Sequence, residues 1–115
     1  MSAPIVFFDI AGPDPAAQAA FFSGVFGWNV GAGGQLSVST AGPLPGTLRA
    51  DPAEKVLYFG VEDITATLAS VVAHGGAIDA PRFVVPGVVI LGLFKDPAGN
   101  RLGLVEVRDG APIVP

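Results

Sequence analysis

Cysteine is absent, which removes disulfides, thiolate metal sites and cysteine nucleophiles together. Charge is scarce: 14% of the 115 residues are Asp, Glu, Lys or Arg. The six Lys and Arg residues are scattered, and the net charge is -4 with a pI near 4.6. With no basic patch to displace counterions from phosphates, nucleic acid is not an expected partner. No apolar run reaches the roughly 20 residues that a bilayer span needs. The longest, FVVPGVVILGLF, is interrupted by Pro86, Gly87 and Gly92. The N-terminus has no basic region ahead of its short apolar run, so it is a poor signal peptide. A cytoplasmic protein without a membrane partner is expected. Histidine occurs once, as His74, so imidazole chemistry has a single candidate.

Hydrophobic residues make up 50% of the chain, enough for a core without covalent staples. At this length one domain is expected, spanning 1–115. Low charge density also predicts an apolar surface patch of the kind that marks an interface, and hence a homodimer.

The chain reads as two similar halves. PIVFFDIAG is β-rich and bounded by Pro and Gly. In PDPAAQAAFFSGVFGW, Asp14 suits a helix N-cap and Pro15 the first helical position. Phe21, Phe22, Val25 and Phe26 fall at helical spacing, and Gly27 is a C-terminal stop. The plan then repeats. EKVLYFGVE reads as a strand, Asp63 as the N-cap of ITATLASVVAH, and Gly75-Gly76 as its stop. Ile64, Leu68, Val71 and Val72 form the apolar face. Asp14 and Asp63 are 49 positions apart, and the same offset places Phe7 on Val56 and Phe8 on Leu57. Each helix is followed by strand-like pieces: WNVGA, QLSVST and GTLRA after the first, AIDAPRFVV, VVILGLF and RLGLVEV after the second. Module one therefore covers about 1–49, the linker 50–54, module two 55–108, and 109–115 is read as a loose tail.

Three segments carry a resemblance. FFDIAGPDPAAQAAFFSGVFGWNV, YFGVEDITATLASVVAHGGAI and FKDPAGNRLGLVE, in this order and spacing, resemble the vicinal oxygen chelate superfamily of glyoxalases, bleomycin-resistance proteins and extradiol dioxygenases. The resemblance covers nearly the whole chain. It implies an α+β fold of two βαβββ modules, each with one helix, whose curved mixed sheets form a cup. It also implies a divalent metal in the cup of active members. Carried over by position, the first-strand ligand corresponds to Phe7, its counterpart in module two to Val56, and the last-strand glutamate to Gly103. The fourth falls near Thr47 to Arg49, where no obvious donor stands. Three of four positions thus lack a donor atom, whereas a divalent ion needs several carboxylate or imidazole ligands at about 2 Å. His74 is expected to cap the second helix. No metal and no cofactor are expected.

Strand alternation puts Asp9 on the face of Phe7 and Tyr58 on the face of Val56. Gly103 and Val105 line the last strand on that face, and Glu106 lies opposite. The candidate ligand-binding set is Phe7, Asp9, Trp28, Val56, Tyr58, Gly103 and Val105, an apolar cup with one carboxylate and one phenol. It suits a small, partly apolar molecule. Asp9 is the candidate catalytic residue, as a general base; its alternatives are a partnership with an arginine such as Arg101, or exposure to solvent. Trp28 either packs between module and sheet or stacks on ligand. Gly31 to Gly34 reads as a hairpin connection, and Asp96 to Asn100 as turn chemistry. Three functions remain open: metal-independent binding of a small molecule, a lyase or isomerase using Asp9, and a non-catalytic scaffold.

Overall fold

A computed structural model describes residues 7–40 and 42–115. The fold class is as expected: two helices and a five-stranded mixed open sheet. Helix α1 spans Pro15–Phe26 and α2 spans Ile64–Ala73. Both begin on an aspartate whose carboxylate accepts a backbone N–H three residues on, Ala17 for Asp14 and Ala66 for Asp63. This satisfies one of the donors that a helix start leaves unpaired. Helix α1 ends at Gly27, which takes the left-handed conformation at φ 69.

Module two is complete. Strand β1 (Tyr58–Val61) leads into α2, followed by β2 (Ala77–Val85), β3 (Val89–Lys95) and β4 (Arg101–Arg108). The sheet order is β1-β4-β3-β2, with β1 parallel to β4 and the other neighbours antiparallel. Helix α2 lies on one face, burying Ile64, Leu68 and Val71 against Ile90, Phe94, Leu102 and Leu104. Gly92 permits this approach: an added Cβ there would stand 2.6 Å from Ile64 Cγ2. Val72, expected in the apolar stripe, is 53% exposed, because the stripe is only three residues wide.

Module one differs from expectation. Helix α1 forms, and Phe21 and Phe22 join the core of module two. The described residues of PIVFFDIAG, WNVGA, QLSVST and GTLRA join no ladder. Glycine and proline are dense between 31 and 46, and such residues leave little alternation to hold a register. The expected hairpin connection at Gly31 to Gly34 does form a turn, with Gly31 N donating to Gln35 O at 2.8 Å, but its flanks do not pair.

The tail requires a correction, since it is not loose. Asp109 and Gly110 both have positive φ, 52 and 79, and turn the chain so that β5 (Ala111–Pro112) pairs with β4. A two-residue Asp-Gly turn matches the twist of a hairpin. Ile113 then packs against the core, and Pro115 O accepts from Gly87 N. Among the described residues no helix is long and apolar enough to cross a membrane.

Candidate functional site

Strand alternation gives the sheet two unlike faces. On β4, Leu102 and Leu104 face α2, so Gly103 and Val105 face the other way. On β3, Leu91, Leu93 and Lys95 share that second face, since Ile90, Gly92 and Phe94 face α2. The register sets Tyr58 beside Gly103 and Gly103 beside Leu93, then Gly60 beside Val105 and Val105 beside Leu91, with Phe83 beyond. The result is an apolar floor carrying one phenol.

The Tyr58 ring lies over Gly103. A Cβ added at Gly103 would collide with its ring edge, touching Cδ1, Cε1 and Cγ. The aromatic ring covers a bare backbone that a side chain would otherwise shield. Tyr58 is 49% exposed, and its hydroxyl has no hydrogen-bond partner among the described residues. Gly103 and Val105 lie on this face of β4, with Tyr58 of β1 beside Gly103.

The other expected site residues are placed differently. Phe7 is 79% exposed and outside any strand. Asp9 is also exposed and strandless, so the alternation expected to aim it at the cup has no strand to act through. Arg101 does not pair with it: its guanidinium binds Asp79 at 2.9 Å and Glu54 at 2.9 Å. Val56 is half-buried and precedes β1. Trp28 stacks on Phe22 with centroids 5.1 Å apart, and also meets Phe8, Phe26 and Phe59. It packs between helix and sheet. Its ring also borders a shallow groove with Gln35 and Ser37, distinct from the face of Tyr58.

His74 caps α2, its Nδ1 2.8 Å from Ser70 O. The ring also fills the space over Gly24 of α1, a contact between helices that position along the chain does not reveal. Among the described residues, no three His, Asp or Glu side chains gather as metal ligands would.

Two polar features escaped the sequence reading. Asp96 carries a carboxyl group yet is only 4% exposed. It accepts from the backbone of Ala98 and Asn100, from Asn100 Nδ2 at 2.7 Å and from Gln18 Nε2 at 2.9 Å. Asn100 Nδ2 also donates to Ala11 O, so the turn of module two holds the entry to α1. The turn itself was legible, with Gly99 at φ 89; its reach to Gln18 was not.

The second feature is Glu106, on the α2 side as expected. Arg82 grips it with two hydrogen bonds, 2.9 and 2.8 Å. Arg82 first, reinforced by charge attraction, holds the carboxyl below its ordinary range despite the opposing desolvation. A lowered folded value means that the contribution is present above the unfolded value and lost as pH falls through the folded one. Acid should therefore destabilise the wild-type protein more steeply than Glu106→Gln, below the ordinary glutamate range. Urea midpoints measured from pH 7 down to pH 3 check this; parallel curves would contradict it.

Residues 5–105 match the family described as a glyoxalase-like domain. The anthracycline biosynthesis protein DnrV of Streptomyces peucetius is 31% identical over 134 aligned residues, covering 93% of this chain and 49% of DnrV. The chain spans about half the length of the curated relatives it matches. Among solved structures, protein SA1046 from S. aureus aligns with a TM-score of 0.67 at 16% identity, over 93% of this chain and 96% of that one. A glyoxalase-related enzyme from Fulvimarina pelagi aligns with a TM-score of 0.65 at 18% identity, over 85% of this chain and 84% of that one. At such identities the likeness speaks for the fold. With the family match across most of the chain, and the βαβββ module complete, the protein belongs to the glyoxalase-like family of the vicinal oxygen chelate superfamily.

Proposed function

We propose that this chain binds a small, partly apolar molecule on the second face of its sheet, without a divalent metal. The observation that carries the reading is Tyr58 lying over Gly103. Gly103 stands where the superfamily resemblance places a metal-binding glutamate. The phenol ring fills the space that such a side chain would enter, and the counterpart positions Phe7 and Val56 offer no donor atom. Around this pair, Leu91, Val105 and Phe83 supply apolar floor, and burying such surface favours a ligand with apolar area. Relatives that serve anthracycline biosynthesis are consistent with a small-molecule role.

A melting screen of small molecules tests the reading. A compound that stabilises the wild-type protein but not Val105→Glu, which places charge in the floor, supports it. If no compound in a broad apolar and amphipathic set raises the melting temperature, the reading fails. An enzymatic role with Asp9 as base has less behind it, because that carboxylate is exposed and outside any strand.

The same face suggests a homodimer. Tyr58 and Phe83 remain exposed on it, and a second copy would cover apolar surface that one chain leaves open. Sedimentation should show a dimer that dissociates on dilution; a monomer at every concentration would contradict this.

A further inference from the structure

We infer that Tyr58 selects for planar aromatic ligands, by offering its outer face as a stacking platform beside the floor of β3 and β4. This rests on the binding role proposed for that face. The inner side of the ring is spent on Gly103, where three ring atoms crowd the place of a Cβ. Half of the residue nevertheless remains open to solvent, and the hydroxyl is unpartnered among the described residues. A residue needed only to cover glycine could be leucine, which would bury its surface and present no flat face. Gly103 has no side chain to hold the phenol off the sheet, and half of the residue stays open above it. The register then brings Leu93 beside Gly103, and Val105 and Leu91 one pair further along, about 7 Å away at the usual rise per residue. That length matches a fused two-ring system, which could stack on Tyr58 while its far end lies on the half-buried Leu91 and Val105. Aromatic pairs gain from offset stacking beyond the area they bury, and a saturated ring of similar size cannot make that gain.

The test uses 2-naphthoate and its saturated analogue decahydro-2-naphthoate, with the full chain. Tyr58 is the only tyrosine, so tyrosine-selective labelling gives a single set of ring signals in NMR. The wild-type protein should bind 2-naphthoate roughly threefold to tenfold more tightly than the saturated acid, the increment an aromatic pair adds. Titration should move the Tyr58 ring signals together with the amides of Leu91, Leu93 and Val105. Tyr58→Phe should keep the preference. Tyr58→Leu, which still covers Gly103, should lose it while keeping affinity for the saturated acid. If both acids bind equally, or if Tyr58→Leu retains the preference, stacking is refuted and the binding face stands. If neither acid moves the β3 and β4 amides, the binding face itself is refuted.

Discussion

Replacing Asp96 with alanine should cost about 4 kcal/mol of stability, or roughly 15 °C in melting temperature for a domain of this size. The carboxylate is buried and receives four donors, two from backbone and two from side chains. Hydrogen bonds to a charged acceptor contribute about 1.5–3 kcal/mol each, and unpaired buried donors carry a further penalty. Alanine removes the acceptor and strands the Gln18 amide, while Asn100 Nδ2 keeps only its bond to Ala11 O. Asp96→Asn should recover part of the loss, because one oxygen remains. Beyond stability, the change should loosen α1, since Gln18 is its polar tether to the β3–β4 turn. Hydrogen exchange should then speed selectively in Pro15–Phe26 relative to α2. A variant melting within a degree or two of wild type would show that these hydrogen bonds do not hold the turn.

Phe94→Ala should be as costly, about 4 kcal/mol. The ring is fully buried on the α2 side of β3. It lies 6.1 Å from Phe21 and 5.9 Å from Phe26, both on α1, and 6.1 Å from Phe59 on β1. Its removal leaves a cavity where α1, β1 and β3 meet, and the surrounding rings are too rigid to collapse into it. The comparison is Phe7→Ala. Phe7 is exposed, so its truncation should change stability by no more than about 0.5 kcal/mol. Chemical denaturation of the two variants checks both. Equal effects would mean that Phe7 packs against something other than solvent, or that the core lies elsewhere.

How much of this was legible in the sequence depends on distance along the chain. Asp14, Gly27, Asp63 and the Gly75-Gly76 stop act within a turn of themselves, and each was read correctly. The Asp96–Asn100 turn was legible for the same reason. The Asp109-Gly110 hairpin carried an equally local signal and was passed over as a tail; two positive-φ residues between short apolar pieces are a hairpin cue. The strands expected after α1 are a different failure. A strand needs a partner, and apolar residues interrupted by Gly31, Gly33, Gly34, Pro43 and Pro45 specify none. Asp9 and Phe7 were assigned to the cup through an earlier strand, PIVFFDIAG, whose described residues join no ladder. Tyr58, Gly103 and Val105 were placed through strands that do form.

Contacts between distant residues were beyond reach. Gln18 meets Asp96 across 78 positions, and Arg101 chooses Glu54 and Asp79 over Asp9. No periodicity encodes such choices. The collision of a Gly103 side chain with Tyr58 is also a product of register. The alignment of Gly103 with a metal ligand could be read from the turn preceding it; the ring lying in its place could not.

The most direct test of a metal-free site is the melting temperature of chelator-treated protein with Ni²⁺, Zn²⁺, Mn²⁺ or Fe²⁺ in excess. A ligand at 100 times its dissociation constant would add about 2.7 kcal/mol, a shift of roughly 10 °C here. With Tyr58 over Gly103 and no donors at Phe7 and Val56, no metal should shift the transition. A clear shift with one metal, lost in Asp9→Ala, would contradict the proposal and place a metal centre at the N-terminal segment.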